Sequence, residues 1–134
     1  MKRLFLLHIM YIGCLLYAKP NTINDVIAVD VKYIDWDIMS IIDIDPQNFE
    51  SWNGYQLHIT DGETIHHLLS QIRVLDKDSA SSFDVRGKIS IVFPHDTVVY
   101  YYSKFHLYDG VQYYMMSPKL EKNLLELTNQ QINP

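Results

Sequence analysis

The fold is decided by residues 85–116, which read VRGKISIVFPHDTVVYYYSKFHLYDGVQYYMM. Apolar and polar side chains alternate along much of this stretch, and a period of two residues is typical of a strand with one buried face. Turn residues interrupt the pattern at positions 94–96 and at the Asp109-Gly110 pair, which is a strong hairpin signal. We therefore predict a meander of three antiparallel strands. Their ranges are 85–93, 97–108 and 111–116.

Period-two patterning also covers residues 26–45 and 55–60. In the first range, large apolar residues take even positions and aspartates take odd ones: Ile34, Trp36, Ile38, Ile42 and Ile44 against Asp35, Asp37, Asp43 and Asp45. This alternation predicts one long strand with a buried face and an acidic, solvated face. Met39 and Ile41 interrupt the polar face, so a bend is expected there. Residues 55–60 predict a second, short strand.

Two amphipathic helices are predicted, one before and one after the meander. The first follows a capping box, in which the Thr60 hydroxyl and the Glu63 carboxylate bind free backbone amides. Ser117 and Pro118 start the second, because proline is favoured at the first helical position. The buried face of each helix is apolar: Ile65, Leu68, Leu69, Ile72 and Leu75, then Leu120, Leu124 and Leu127. We predict an α+β fold, an antiparallel sheet of about five strands with two helices packed on one face, in the order β-β-α-β-β-β-α.

The first residues carry the pattern of a cleavable export signal. Lys2 and Arg3 precede an apolar run that ends at the small residue Ala18. That run is shorter than the ~20 residues of a membrane-spanning helix. The predicted organisation is a signal peptide at 1–18, a tether at 19–28 and a single α+β domain at 29–134.

A second processing site overlaps the same run. Tyr11-Ile12-Gly13-Cys14 resembles the lipobox of bacterial lipoproteins, in which the cysteine becomes the lipidated first residue. Gly13 fits that pattern, whereas Tyr11 stands where leucine is usual. The resemblance implies a lipid anchor on Cys14 as the alternative to a soluble periplasmic or secreted form. Because Cys14 is the only cysteine, we expect no internal disulfide and no thiolate metal cluster.

The charge balance favours some partners over others. The chain has 11 Lys and Arg against 16 Asp and Glu, and loss of Lys2 and Arg3 with the signal would change the formal net charge from -5 to -7. A negative protein repels nucleic acid phosphates and anionic lipids. We therefore expect no nucleic acid partner, and contact with a membrane only through a lipid anchor.

Acidic and tyrosine side chains are the candidate contacts. Asp35 and Asp37 would project from one side of a strand toward a basic partner or a calcium ion, or would simply be solvated. Tyrosine rings suit protein interfaces and sugar stacking, and ordinary cross-strand packing is the alternative. Arg86 could pair with Asp84 or bind a carboxylate ligand. The predicted binding residues are Asp35, Asp37, Tyr100, Tyr102, Tyr113 and Arg86.

Metal and catalytic motifs are weak. His58, Glu63 and His67 are the best candidates for a metal, because Glu and His one helical turn apart can share zinc, but the HExxH motif is missing. The chain also lacks a Gly-x-Ser-x-Gly elbow, a Ser-x-x-Lys motif and a glycine-rich phosphate loop. We expect no metal, no cofactor and no catalytic residues.

These patterns predict a small exported, non-catalytic binding protein of the bacterial envelope or exterior. We expect it to engage a basic protein partner through an acidic, tyrosine-rich sheet face, as an inhibitor or immunity-like protein would. A carbohydrate-binding accessory protein is the alternative. A small hydrolase, built from His58, His66 or His67 with carboxylates, is the third candidate.

Mass spectrometry of the protein isolated from its host tests the processing prediction. Cleavage after Ala18 gives a mature chain that begins at Lys19. Lipidation would instead give a chain that begins at Cys14 and carries the added mass of its acyl groups. A chain that still begins at Met1 would contradict export by either route.

Overall fold

Alternating side chains build one antiparallel sheet of six strands in the computed structural model, which describes residues 21–132. The strands are β1 (Ala28–Tyr33), β2 (Tyr55–Ile59), β3 (Gly87–Val92), β4 (Thr97–Tyr102), β5 (His106–Tyr108) and β6 (Tyr113–Met115). Their spatial order is β2-β1-β3-β4-β5-β6. The predicted signal peptide, with Cys14, lies outside the described residues. Short 3-10 helices cover Ile23–Asp25 and Phe49–Ser51.

Helices α1 (Gly62–Arg73) and α2 (Pro118–Ile132) pack on one face of this sheet, so the predicted α+β fold is confirmed. The Asp61 carboxylate caps α1 by accepting a hydrogen bond from the Thr64 amide at 2.9 Å. The capping residue is therefore Asp61 and not the predicted Thr60. At α2, the Ser117 hydroxyl accepts a hydrogen bond from the Leu120 amide at 3.1 Å, as expected for the start of that helix.

The main core lies between the helices and the sheet. Cross-strand pairs such as Val29–Ile59 and Tyr102–Leu107 place apolar side chains side by side on the helix-covered face. The helix side chains buried against them are Ile65, Leu68, Leu69, Ile72, Leu120 and Leu124. Because full burial of one such side chain contributes about 1.5–3 kcal/mol, this layer supplies most of the apolar stabilisation.

The meander has four strands, since the predicted strand over residues 97–108 is divided in two. The Ser103 hydroxyl accepts hydrogen bonds from the amides of Phe105 and His106 at 3.3 and 3.2 Å, and this turn separates β4 from β5. The predicted hairpin at Asp109-Gly110 forms between β5 and β6, with Gly110 at a φ of 98°. The division explains why the sheet has six strands and not about five.

The prediction of one strand over residues 26–45 is wrong beyond Tyr33, where β1 ends. The chain turns there: the Ile38 amide donates to the Asp35 carbonyl at 3.2 Å, and the Asp37 amide donates to the Asp35 carboxylate at 3.1 Å. An aspartate that binds the backbone two residues later favours a turn over strand pairing. The alternation of isoleucine and aspartate in this stretch therefore belongs to a loop.

Part of that loop covers the second face of the sheet, which the sequence predicted to be bare. A small cluster of buried side chains contacts Tyr101 on this face: Ile34, Ile44, Phe49 and Val85. The rings of Phe49 and Tyr101 meet edge to face, with centroids 6.2 Å apart. The sheet thus has one side that the two helices cover and a second side that residues 44–52 cover in part.

The glycine in β3 provides a test of this packing. A Cβ at Gly87 would overlap the buried ring of its cross-strand partner Tyr102. Gly87→Ala should therefore cost about 1–3 kcal/mol of unfolding free energy in urea denaturation. In a Tyr102→Leu background the same change should cost much less.

Gly62→Ala is the matched control, because a Cβ there meets no atom within 4 Å and the position is helical. It should leave stability unchanged or raise it slightly. Equal costs for Gly87→Ala with and without Tyr102 would contradict the proposed overlap.

Candidate functional site

Two of the predicted binding tyrosines face the helices. Tyr102 is only 1% exposed, and burial raises its pKa far above the ordinary value. Tyr100, two residues earlier on β4, is half-buried on the same face. Alternation along the strand puts their neighbour Tyr101 on the opposite face. Tyr102 is therefore a core residue and cannot contact a partner.

Tyr113 lies on the second face, where its ring packs on other aromatic rings. It stacks on Tyr108 with centroids 4.4 Å apart and meets Phe83 edge to face at 5.9 Å. The Tyr108 hydroxyl donates to the Gly110 carbonyl at 2.7 Å. The rings thus contact one another in the cross-strand packing that was the alternative interpretation for the tyrosines.

The uncovered part of the second face carries both signs of charge, in contrast to the acidic face that was predicted. Lys32 and Lys88 both bind Glu50, and the hydrogen bond from Lys88 lowers the pKa of that carboxyl below its usual range. Beside them, His58 pairs with Asp30 across β2 and β1. These groups line a shallow polar groove of about 480 Å³ in which the charges are matched.

Asp35 and Asp37 were predicted to lie on a strand, but they lie on a loop. Both ends of this loop are hydrogen-bonded to residues 85 and 86. The Ile34 amide donates to the Arg86 carbonyl at 2.8 Å, and the Val85 amide donates to the Ile44 carbonyl at 2.7 Å. We call residues 35–43, between these two attachments, the anchored loop. Its ends are fixed by hydrogen bonds and by the burial of Ile34 and Ile44.

Arg86 and Asp84 strengthen this attachment. One Asp84 carboxylate oxygen accepts a hydrogen bond from the Ile44 amide at 2.9 Å, and the other pairs with the Arg86 guanidinium. The pairing was one of the two sequence interpretations for Arg86. Its side chain is 13% exposed and is held by Asp84, so Arg86 helps to anchor the loop.

The anchored loop exposes a run of large apolar side chains. Their exposed fractions are 42% for Ile38, 95% for Met39, 105% for Ile41 and 61% for Ile42. We call these four residues the apolar tip. Exposed aspartates flank it: Asp35, Asp37, Asp43 and Asp45. Single exposed apolar residues are common on protein surfaces, whereas a group of four large ones within five residues is unusual.

Sequence reasoning missed the apolar tip because Ile38 and Ile42 were assigned to a buried strand face. The signal was present at Met39 and Ile41, which broke the polar face of the predicted strand. Apolar residues at both odd and even positions are poorly compatible with a strand that has one solvated face.

The histidine and carboxylate candidates for a metal do not converge. His58 is paired with Asp30 on the sheet, whereas Glu63 and His67 line a surface groove between the start of α1 and α2. Within residues 21–132, no three His, Cys, Asp or Glu side chains are arranged to hold a metal ion.

The pair formed by His106 and Asp78 resembles the histidine and carboxylate of a hydrolytic site. His106 Nδ1 lies 2.7 Å from Asp78 Oδ2, and the His106 ring stacks on Phe83. The nearby Ser103 hydroxyl accepts hydrogen bonds from two backbone amides and shapes the turn after β4. These contacts are those of a turn residue, whereas a nucleophilic serine would need a hydrogen bond to the histidine ring.

Comparison with protein-family models, with curated proteins and with solved structures gave no match. Neither helix of the described part of the chain combines the length and apolar character needed to cross a membrane. The geometry of the anchored loop is therefore the main basis for a functional proposal.

Removal of the Asp84 carboxylate tests the anchor. Asp84→Ala leaves the Arg86 guanidinium and the Ile44 amide without their acceptor, which should cost about 1–3 kcal/mol. Limited chymotrypsin digestion should then cut faster at Trp36 or Met39. Asp43→Ala removes a neighbouring charge without touching the anchor and should change neither result. Equal digestion of both variants and the wild type would contradict the anchoring role.

Proposed function

We propose that this chain is an exported, non-catalytic protein that binds a protein partner through the apolar tip of its anchored loop. The observation that carries the proposal is the exposure of Ile38, Met39, Ile41 and Ile42 between aspartates. An inhibitor or immunity-like role fits this shape, because a projecting loop can enter a concave site on a partner.

The apolar tip supplies the affinity in this proposal. Full burial of one large aliphatic side chain contributes about 1.5–3 kcal/mol, so two or three such residues would dominate the binding energy. Binding also costs the ordering of flexible segments. The attachments at Ile34 and Ile44 reduce that cost, because both ends of the anchored loop are already fixed.

The flanking aspartates supply the selectivity. Asp35, Asp37 and Asp43 are exposed beside the tip, and the whole chain carries a formal net charge of -5. Such a surface attracts a partner whose apolar pocket is rimmed by Lys or Arg, and it speeds their encounter at low salt. The same charges disfavour insertion of the tip into an anionic lipid surface.

The aromatic packing favours a protein partner over a carbohydrate. A sugar needs the open face of an aromatic ring, but the rings of Tyr108 and Tyr113 stack on each other. Tyr55 is about half exposed and stacks on Tyr33 at 5.3 Å. A basic protein surface is also consistent with the negative charge that the signal-peptide prediction gives to the mature form.

Capture from the native exported fraction tests the proposal. Wild-type protein should retain a partner at about 0.05 M salt and lose part of it at about 0.5 M, since salt screens the aspartates and leaves the apolar contact. Met39→Asp and Ile41→Asp should each abolish retention of that partner. Both positions are exposed, so thermal unfolding of these variants should stay close to that of the wild type.

Val111→Asp is the matched control, because Val111 is 90% exposed and lies at the β5–β6 turn. It should retain the partner fully. Retention of the same partner by the Met39 and Ile41 variants would overturn the proposal, as would a partner whose binding is lost only on Val111→Asp.

A further inference from the structure

A crevice between α1 and the helix-covered face of the sheet is separate from the anchored loop. Its volume is about 210 Å³. The apolar part of its lining comes from the N-terminal segment, the helix and the two central strands: Ile23, Leu69, Ile72, Ile91, Phe93 and Val98. An apolar crevice of this kind can accept a small apolar group without leaving a buried polar atom unpaired.

Two polar side chains in the lining have unused hydrogen-bonding capacity. Arg73 is the last residue of α1, and it forms no ion pair with any carboxylate in residues 21–132. Tyr100 is half-buried, and its hydroxyl forms no hydrogen bond with another residue in the same range. Burial and the Asp109 carboxylate raise the pKa of Tyr100, so the hydroxyl keeps its proton at neutral pH and can donate.

Among the described residues, the crevice lining contains one positively charged side chain, Arg73, and no carboxylate. Asp109 is the nearby negative group, but its carboxylate already accepts hydrogen bonds from the Val111 and Gln112 amides at 2.8 and 2.7 Å. It also accepts one from the Tyr114 hydroxyl at 3.1 Å. Asp109 keeps its negative charge, but it is not part of the lining, where Arg73, exposed at the end of α1, is the charged side chain that a ligand would meet.

We propose that this crevice binds a small apolar carboxylate, with the apolar part on Leu69, Ile72 and Ile91 and the carboxylate at Arg73 and Tyr100. An arginine fork and a phenol are suitable donors for a carboxylate. The volume of about 210 Å³ limits the size of the apolar part to one aromatic ring or a short acyl chain. For comparison, an engineered protein cavity of about 150 Å³ holds one benzene molecule.

This site does not depend on the proposed protein partner. The crevice is lined by α1, β3, β4, residues 21–23 and Phe93, and the anchored loop contributes none of the lining side chains. Loss of partner binding on Met39→Asp would therefore leave the crevice unchanged, and each proposal fails or holds by its own experiment.

Titration of the purified protein with phenylacetate, followed by methyl NMR, tests the site. The methyl signals of Ile23, Ile72 and Ile91 should shift saturably, with a Kd of about 5 mM or tighter for a ligand of this size. Phenylacetamide has the same shape and no charge, and it should bind at least about tenfold more weakly, because it lacks the charge-assisted hydrogen bond.

Arg73→Gln should weaken phenylacetate binding about tenfold and remove the preference over phenylacetamide. Lys119→Gln removes an exposed cation at the start of α2, outside the crevice, and should leave binding unchanged. Val98→Phe should fill the crevice and abolish binding of both compounds. Equal affinities for the acid and the amide, no effect of Arg73→Gln, or no saturable shift at the three isoleucines would each overturn the proposal.

Discussion

The second side of the molecule depends on how the backbone at Ile34 and at Ile44 is bound to the segment from Asp84 to Arg86. Three hydrogen bonds make this attachment, two between backbone groups and one from the Ile44 amide to the Asp84 carboxylate. Burial of Ile34 and Ile44 under Phe49 excludes water from it. Because both ends are fixed to the same segment, the residues between them project from the sheet, and the four apolar side chains of the tip are exposed, while Trp36 packs against the main core.

The helix side of the sheet obeys a different constraint. Side chains alternate between the two faces along each strand, so Val98, Tyr100 and Tyr102 face the helices while Tyr101 faces the covering loop. The crevice at Arg73 lies where α1 ends beside the edge of this core. The two proposed contact surfaces therefore arise from separate parts of the fold, one from a loop and one from incomplete packing between a helix and the sheet.

Local patterns were sufficient to predict both helices, the β5–β6 hairpin and the α+β class, because period and capping depend on neighbours in sequence. They failed at residues 34–45, where alternating isoleucine and aspartate is compatible with a strand and with an aspartate-bound turn. Three consecutive tyrosines must occupy both faces of a strand. No feature of the neighbouring sequence indicates which of these faces packs against the helices. The pairing of Asp84 with Arg86 was foreseen, but its role depends on the Ile44 amide, 40 residues away from Asp84.

Hydrogen exchange of individual backbone amides tests the anchored loop most directly. The amides of Ile34, Ile44 and Val85 donate to the contacts that fix the loop, and they should exchange slowly, close to the rate set by global unfolding. The amides of Met39 to Ile42 should exchange fast. Slow exchange throughout residues 34–45 would indicate a paired strand and contradict the account, as would fast exchange at Ile34, Ile44 and Val85.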